Sequence, residues 1–184
     1  MDAFERYLAK YCAPTLLGAK AASLVSVDRR EVPELAGRVE AYNRQFAACG
    51  LAFSLLCECG HRGLLLVYRP TLLAGRLRRD GTVLARFGYD PCAPLDRQLA
   101  RLREKLAQGG EFPHEIGLFL DYPTADVLAF VERHGAGCRL CGHWKVYGDV
   151  EAARARFACY DACRDCLCAL LENGTTLAQL LRAA

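Results

Sequence analysis

The segment 51–69, LAFSLLCECGHRGLLLVYR, decides the fold class. Two apolar runs, 51–57 and 63–69, flank a turn that contains Gly60 and Gly63. Apolar runs of this length, separated by a short glycine-containing turn, are typical of two antiparallel strands. Their nearly continuous apolar character indicates that at least one face of the hairpin is covered.

Helical patterns precede the hairpin. Residues 2–11 carry an apolar stripe at three- and four-residue spacing, and Pro14 and Gly18 predict that this helix ends before an irregular segment. A second helix begins near Pro33 and closes at Gly50. Its predicted buried stripe consists of Leu35, Val39, Tyr42 and Phe46.

Further helices follow the hairpin. We expect one helix from Pro70, a short second helix after a break at Asp80-Gly81, and a third over 94–108, whose leucines recur at helical spacing. The last long helix runs from 149 to 173, and TLAQ at 176–179 resembles a capping box for a short terminal helix.

A strand, a helix and a strand are predicted between these helices. EIGLFLDY (115–122) is a third strand, the helix over 124–135 follows, and RLCGHWKVY (139–147) is a fourth strand. This order is typical of a right-handed parallel βαβ unit. The sequence therefore predicts one α+β domain over residues 1–184, with about four strands in a mixed sheet and helices packed around it.

Composition limits the environment of the protein. At 184 residues and 53% hydrophobic content, the chain can bury a core without disulfide bonds. The first residues do not resemble a signal peptide, and no apolar run approaches the roughly 18 residues of a membrane span. We expect a cytoplasmic protein with no membrane partner, whose eleven cysteines are reduced.

The charge distribution argues against nucleic acid as a partner. The net charge is +3 and the pI about 8.3, below the pI of about 9 that marks a nucleic-acid footprint. Between residues 69 and 105 nine basic residues outnumber four acidic ones, and Arg97, Arg101 and Lys105 share a helix face. Because no aromatic residue lies between them, base stacking has no platform, and a solvated face is favoured over a phosphate-binding surface.

Seven of the eleven cysteines form three groups with different expectations. Cys57 and Cys59 lie on a predicted strand, where small apolar packing is favoured over a metal site completed by His61. The group Cys159, Cys163 and Cys166 lies on one helix face and is expected to pack. Cys138, Cys141 and His143 are different, because a Cys-x2-Cys pair among glycines is typical of a metal knuckle or redox dithiol. The predicted metal is a transition metal such as zinc or iron, held by Cys138, Cys141 and His143.

Four segments together resemble a known family. CAPTLLGAKAASL (12–24), FPHEIGLFL (112–120), YP (122–123) followed by Asp126, and WKVY (144–147) are similar to an uncharacterised domain family of anaerobic Firmicutes, chiefly clostridia. The resemblance covers nearly the whole chain. It implies a single cytoplasmic domain and assigns no activity.

The matched motifs select the candidate site residues. The resemblance ranks Cys12, Thr15, Lys20, His114 and Glu115, and from the third motif Lys145 and Tyr147. In a parallel strand pair the central and third motifs lie at opposite sheet edges, whereas an antiparallel pair would bring them together. Cys12 stands at a predicted helix start, where a thiolate is stabilised.

Three function hypotheses follow. The first is a metal- or small-ligand-binding accessory protein of iron or redox metabolism. The second is an enzyme with Cys12 as nucleophile and His114 as base. In either case the expected ligand-binding residues are Thr15, Lys20, Glu115, Lys145 and Tyr147. The third is an interaction module that uses the basic segment 69–105 to bind an acidic partner or nucleic acid.

Overall fold

The structure, a computed structural model, describes residues 2–108 and 111–183. It divides into two compact units, Met1–Thr71 with Tyr160–Ala184, and Leu72–Cys159. Helices, a three-stranded antiparallel sheet and a two-stranded hairpin confirm the α+β class. The expectation of a single domain over 1–184 stays a prediction. None of the helices in the described ranges is long and apolar enough to cross a membrane.

The first unit contains the three-stranded sheet. Its strands are β1 (Ala22–Asp28), β2 (Ala52–Cys59) and β3 (Arg62–Tyr68), arranged in the order β1-β3-β2 with antiparallel pairing throughout. The predicted hairpin of β2 and β3 is confirmed, with β3 as the central strand. The outer strand β1 is not among the predicted strands, although within ASLVSVD the residues Ser23, Val25 and Val27 are buried and the two between them are less so.

Helices cover this sheet. They are α1 (Ala3–Leu16), α2 (Leu35–Phe46) with a 3₁₀ turn at Ala47–Cys49, the end of α8 (Val150–Glu172) and α9 (Leu177–Ala183). Their apolar stripes and the sheet share one core, whose largest members include Phe4, Leu8, Leu16, Leu35, Phe46, Leu65 and Leu167. Burial of this apolar surface is the main force that stabilises the unit.

Helix α1 runs five residues further than predicted. A capping box of Asp2 and Glu5 starts it, and Pro14 lies in its last turn, where the missing N–H removes a single helical hydrogen bond. The guanidinium of Arg69 donates to the last carbonyls, those of Thr15 at 2.8 Å and Leu16 at 2.7 Å. The segment expected to be irregular therefore begins as a capped helix end.

The second unit is mostly helical. It contains α3 (Pro70–Arg79, of which residues 70–71 lie in the first unit), α4 (Gly81–Arg86), α5 (Leu95–Ala107), α6 (Ile116–Phe119) and α7 (Thr124–Glu132). The short strands β4 (Leu140–Cys141) and β5 (Lys145–Val146) form an antiparallel hairpin, and the first part of α8 follows. The predicted break at Asp80-Gly81 is confirmed by the boundary between α3 and α4.

The predicted βαβ unit is not formed by the described residues. Residues 116–119 make one helical turn instead of a third strand, and the predicted fourth strand is itself the β4–β5 hairpin. All five residues of 116–120 are buried. A short apolar run of this kind is compatible with a buried helical turn as well as with a buried strand, so periodicity does not distinguish the two. Gly117 permits the tight turn to pack, since a Cβ there would lie 2.8 Å from Val127 Cγ2.

Candidate functional site

Asp126 connects two of the sequence motifs inside the second unit. Its carboxylate, on a residue that is 4% exposed, accepts hydrogen bonds from the Trp144 indole Nε1 at 2.8 Å and from the backbone N–H groups of Tyr147 and Gly148 at 2.8 and 2.9 Å. Three donors satisfy the buried charge. The contact fixes the WKVY segment against the start of α7.

Trp144 is packed by aromatic rings on two sides. Its ring stacks on Tyr122 at 5.1 Å between centroids and meets Phe157 edge to face at 4.5 Å. Gly142 allows this arrangement, because a Cβ at that position would lie 2.3 Å from Phe157 Cε2. The WKVY motif and its glycine are therefore explained by packing around the indole.

Lys145 and Tyr147, two predicted ligand-binding residues, also make internal contacts. The Lys145 Nζ donates to the Gly135 carbonyl at 2.8 Å, next to the end of α7. The Arg133 guanidinium lies 5.4 Å from the centre of the Tyr147 ring. The Tyr147 hydroxyl is buried and has no hydrogen-bond partner within the described part of the chain. Neither residue lines the cavity described next.

A cavity of about 300 Å³ opens beside His114 and Glu115. We call it the Lys105 cleft, and it is lined by Phe87, Lys105, Gln108, Glu111, Phe112, Pro113, His114, Glu115, Val131 and His134. Its volume lies at the lower end of the range of about 300–1,000 Å³ found for small-molecule sites. Two predicted site residues, His114 and Glu115, thus share one concave surface.

An ion pair between two lining residues, Lys105 and Glu115, forms part of the Lys105 cleft. The Glu115 carboxylate is buried, pairs with the Lys105 ammonium and accepts a hydrogen bond from the Tyr89 hydroxyl at 3.2 Å. The Lys105 Nζ also donates to the Phe87 carbonyl at 2.9 Å and lies 5.0 Å from the Tyr89 ring centre. Burial, and then the Glu115 charge, raises the pKa of Tyr89 far above its ordinary value, so its hydroxyl remains a donor.

His114 stands at the rim of the Lys105 cleft and is one-third exposed. Its ring meets Phe130 edge to face at 4.9 Å and lies 6.0 Å from the ring of Phe112. The Nε2 atom is 3.6 Å from Glu111 Oε1. The imidazole is therefore held by aromatic contacts, and its Nε2 atom lies near the Glu111 carboxylate.

The remaining predicted site residues of the first unit are buried. Cys12 lies inside α1 and not at a helix start, so the expected stabilisation of its thiolate by a helix N-terminus is absent. Its side chain is fully buried, and burial raises its pKa to about 12. Thr15 shares a 2.8 Å hydrogen bond with Ser23, and the Lys20 ammonium lies 5.4 Å from the Tyr160 ring centre.

Cys12 and His114 belong to different units, the first and the second respectively. A neutral buried thiol is a poor nucleophile at neutral pH. The pairing of Cys12 with His114 stays a prediction.

Cys138, Cys141 and His143 lie on and beside the β4–β5 hairpin. Cys138 is half-buried, Cys141 and His143 are exposed, and the His143 ring packs 5.3 Å from Phe157. Within residues 2–108 and 111–183, no group of three or more His, Cys, Asp and Glu side chains is arranged to hold a metal ion. The metal site at these three residues stays a prediction.

Sequence reasoning missed the two side chains that contact the Glu115 carboxylate: Lys105, which lines the Lys105 cleft, and Tyr89, which does not. The helical spacing predicts Lys105 as the third member of a solvated basic stripe with Arg97 and Arg101. In the structure Lys105 instead forms an ion pair with Glu115, and its side chain is only 22% exposed. Tyr89 follows a glycine in a loop and shows no periodic pattern. The available signal was the acidic Glu115 directly before a buried apolar run, which requires a cationic or hydrogen-bonding partner.

Comparison with known proteins assigns the chain to a family. Residues 8–181 match the family described as protein of unknown function (DUF3793). No curated protein and no solved structure matches the chain. Since the match spans nearly all of its 184 residues, the chain belongs to the DUF3793 family.

Proposed function

We propose that the protein is a binding protein for a small, uncharged, planar ligand, which occupies the Lys105 cleft. The observation that carries this proposal is the partly buried Lys105–Glu115 ion pair on the lining of a cavity of about 300 Å³. A concave site with aromatic walls and a few convergent polar groups is the usual form of a small-molecule site. This is the small-ligand form of the accessory-protein hypothesis, and its link to iron or redox metabolism is a further part of the proposal.

The charges of the Lys105 cleft favour an uncharged ligand. Lys105 and Glu115 neutralise each other, and Glu111 is the remaining formal charge on the lining. An anion would be repelled by Glu111 and would compete with Glu115 for the ammonium. A cation would be attracted by Glu111, but it would also compete with Lys105 for the Glu115 carboxylate and so weaken that ion pair.

The walls of the Lys105 cleft favour a flat ligand. Phe112 is 43% exposed, which is unusual for so large an apolar side chain, and Phe87 lies on the same lining. Offset stacking or edge-to-face contact with such rings stabilises aromatic ligands. Lys105 can donate to a ligand carbonyl, and His114 and Glu111 can accept from a ligand N–H.

Three probes of one shape but different charge test the proposal. Nicotinamide is neutral, nicotinate is an anion and 3-(aminomethyl)pyridine is a cation at neutral pH. We expect nicotinamide to shift the His114 and His134 imidazole signals in NMR titrations, with a dissociation constant of about 1 mM or below. The charged analogues should bind roughly tenfold more weakly, as expected for ligands that leave a polar group unpaired.

Phe112→Ala should weaken nicotinamide binding, whereas Leu72→Ala should not. Leu72 is a matched control because it is another exposed large apolar residue, 47% exposed, and it lies outside the lining. Equal binding of all three probes, or the absence of shifts with any of them, would contradict the proposal. Unchanged binding by the Phe112 variant would do the same.

A further inference from the structure

A second cavity in the second unit surrounds the start of α5. Its volume is about 480 Å³, and we call it the Gln98 cavity. It is lined by Gly88, Tyr89, Asp90, Cys92, Ala93, Pro94, Arg97, Gln98 and Arg101. It shares no lining residue with the Lys105 cleft, although Tyr89 on its lining donates to Glu115 of that cleft, and the proposal made for it does not rest on the proposed function.

Gln98, which lines this cavity and a neighbouring one, carries an unsatisfied polar atom. The residue is 4% exposed, and its side-chain Nε2 donates to the carbonyls of Asp90 at 3.3 Å and Ala93 at 3.2 Å. These two bonds orient the amide. Its Oε1 atom is buried and has no hydrogen-bond partner among the described residues. A buried acceptor without a donor is costly, so a ligand that supplies the donor gains affinity.

The charge around Gln98 selects an anion. Arg97 and Arg101 line the cavity one helical turn apart, against a single acid, Asp90. The Asp90 carboxylate accepts a hydrogen bond from the Cys92 backbone N–H at 2.9 Å. This bond stabilises the turn at residues 90–92. The Arg101 side chain is 39% exposed, and its guanidinium forms an ion pair with the Glu104 carboxylate at 3.0 Å. The residues that line the cavity therefore carry a net positive charge.

We propose that the Gln98 cavity binds a phosphate monoester that carries a hydroxyl group. The phosphate oxygens accept from the guanidinium groups of Arg97 and Arg101, and the ligand hydroxyl donates to Gln98 Oε1. Two guanidinium groups on successive turns suit the three oxygens of a phosphate, whereas a planar carboxylate is satisfied by one. The same two arginines account for part of the basic excess between residues 69 and 105.

Calorimetric titration with three probes tests both contacts without altering the protein. The probes are glycerol 1-phosphate, propyl phosphate, which lacks the hydroxyls, and inorganic phosphate, in buffer free of other multivalent anions. We expect glycerol 1-phosphate to bind roughly tenfold more tightly than propyl phosphate, because its hydroxyl satisfies Gln98 Oε1. The Gln98 side-chain NH₂ signals in ¹H–¹⁵N spectra should shift with glycerol 1-phosphate and not with propyl phosphate.

A charge-matched pair of variants tests the arginines. The double variant Arg97→Gln/Arg101→Gln should weaken glycerol 1-phosphate binding by roughly tenfold or more. The double variant Arg86→Gln/Arg103→Gln removes the same charge from exposed positions outside the lining and should leave binding unchanged. Equal affinity for the two esters, equal loss in both double variants, or no heat with any probe would overturn the proposal.

Discussion

The carboxylate of Asp126 is the group whose removal should damage the second unit most specifically. In Asp126→Asn the amide oxygen can take the place of Oδ1, which accepts from the Tyr147 and Gly148 backbone N–H groups. The amide NH₂ then faces the Trp144 Nε1–H, which donates to Oδ2 at 2.8 Å. The charge-assisted hydrogen bond from Trp144 Nε1 is lost, and the indole N–H and the new amide NH₂ are two donors that face each other in a buried site.

The expected cost follows from those changes. A hydrogen bond to a charged group contributes about 1.5–3 kcal/mol, and a buried unsatisfied donor costs about 1–3 kcal/mol. Because these contributions overlap, we expect Asp126→Asn to lower the free energy of unfolding by about 3 kcal/mol. Chemical denaturation followed by far-UV circular dichroism measures this change, and Trp144, the single tryptophan, reports locally by fluorescence.

Two controls make this prediction specific. Asp149→Asn changes an exposed carboxylate that accepts from the Ala152 N–H at 3.0 Å, and asparagine serves equally well at such a helix start. In a double-mutant cycle, Trp144→Phe and Asp126→Asn should couple by about 2 kcal/mol. A loss below about 0.5 kcal/mol for Asp126→Asn, or one no larger than that of Asp149→Asn, would refute the reasoning.

Three further predictions concern packing, pH and metal. Gly142→Ala should destabilise the protein by about 1–3 kcal/mol, since the new Cβ would lie 2.3 Å from Phe157 Cε2. Burial raises the pKa of Cys12 from 9.0 to about 12, so the unfolded chain loses this proton first as the pH rises. Stability contributed by the buried thiol is present below about pH 9 and is lost toward about pH 12, by about 2 kcal/mol between pH 9 and 11. Cys12→Ala should lack this part of the slope in pH-dependent denaturation. Elemental analysis of anaerobically purified protein tests the predicted metal: about one ion per chain, lost in Cys138→Ala/Cys141→Ala, would confirm it.

Each of these predictions has a control or a result that would contradict it. A Cβ at Gly75, in α3, would meet no atom of the described residues within 4 Å, so Gly75→Ala should be neutral or stabilising and serves as the control for Gly142. A steeper or equal alkaline slope in the Cys12 variant would show that the thiol does not carry the effect. Equal metal content in the wild type and the Cys138/Cys141 variant would contradict the metal site. Rapid alkylation of Cys12 in the native protein, ahead of exposed Cys92, would support the nucleophile hypothesis and contradict the burial argument.

Elements with a strong local signal were predictable from the sequence. The hairpin of β2 and β3 follows from two apolar runs around glycines, and α5 follows from leucines at helical spacing. The break between α3 and α4 follows from Asp80-Gly81. In each case neighbouring residues contain the whole pattern, so no distant contact is needed to choose the structure.

The candidate site was predictable only in part. His114 and Glu115 were selected from the family motif, and both line the Lys105 cleft. Lys105 was assigned to a solvated stripe, because its buried partner lies ten residues away across a loop. The unsatisfied Gln98 oxygen depends on the conformation of the preceding loop and has no trace in residue spacing.

By itself the sequence determined the α+β class, most helix positions and the central hairpin, because periodicity and turn residues are local properties. Only the tertiary structure decided that residues 116–119 form a helical turn, that β1 joins the sheet, and that Cys12 is a buried thiol inside α1. It also decided the three hydrogen bonds to Asp126. These outcomes depend on which distant groups supply burial, charge and hydrogen-bond partners, and such groups meet only when the chain has folded.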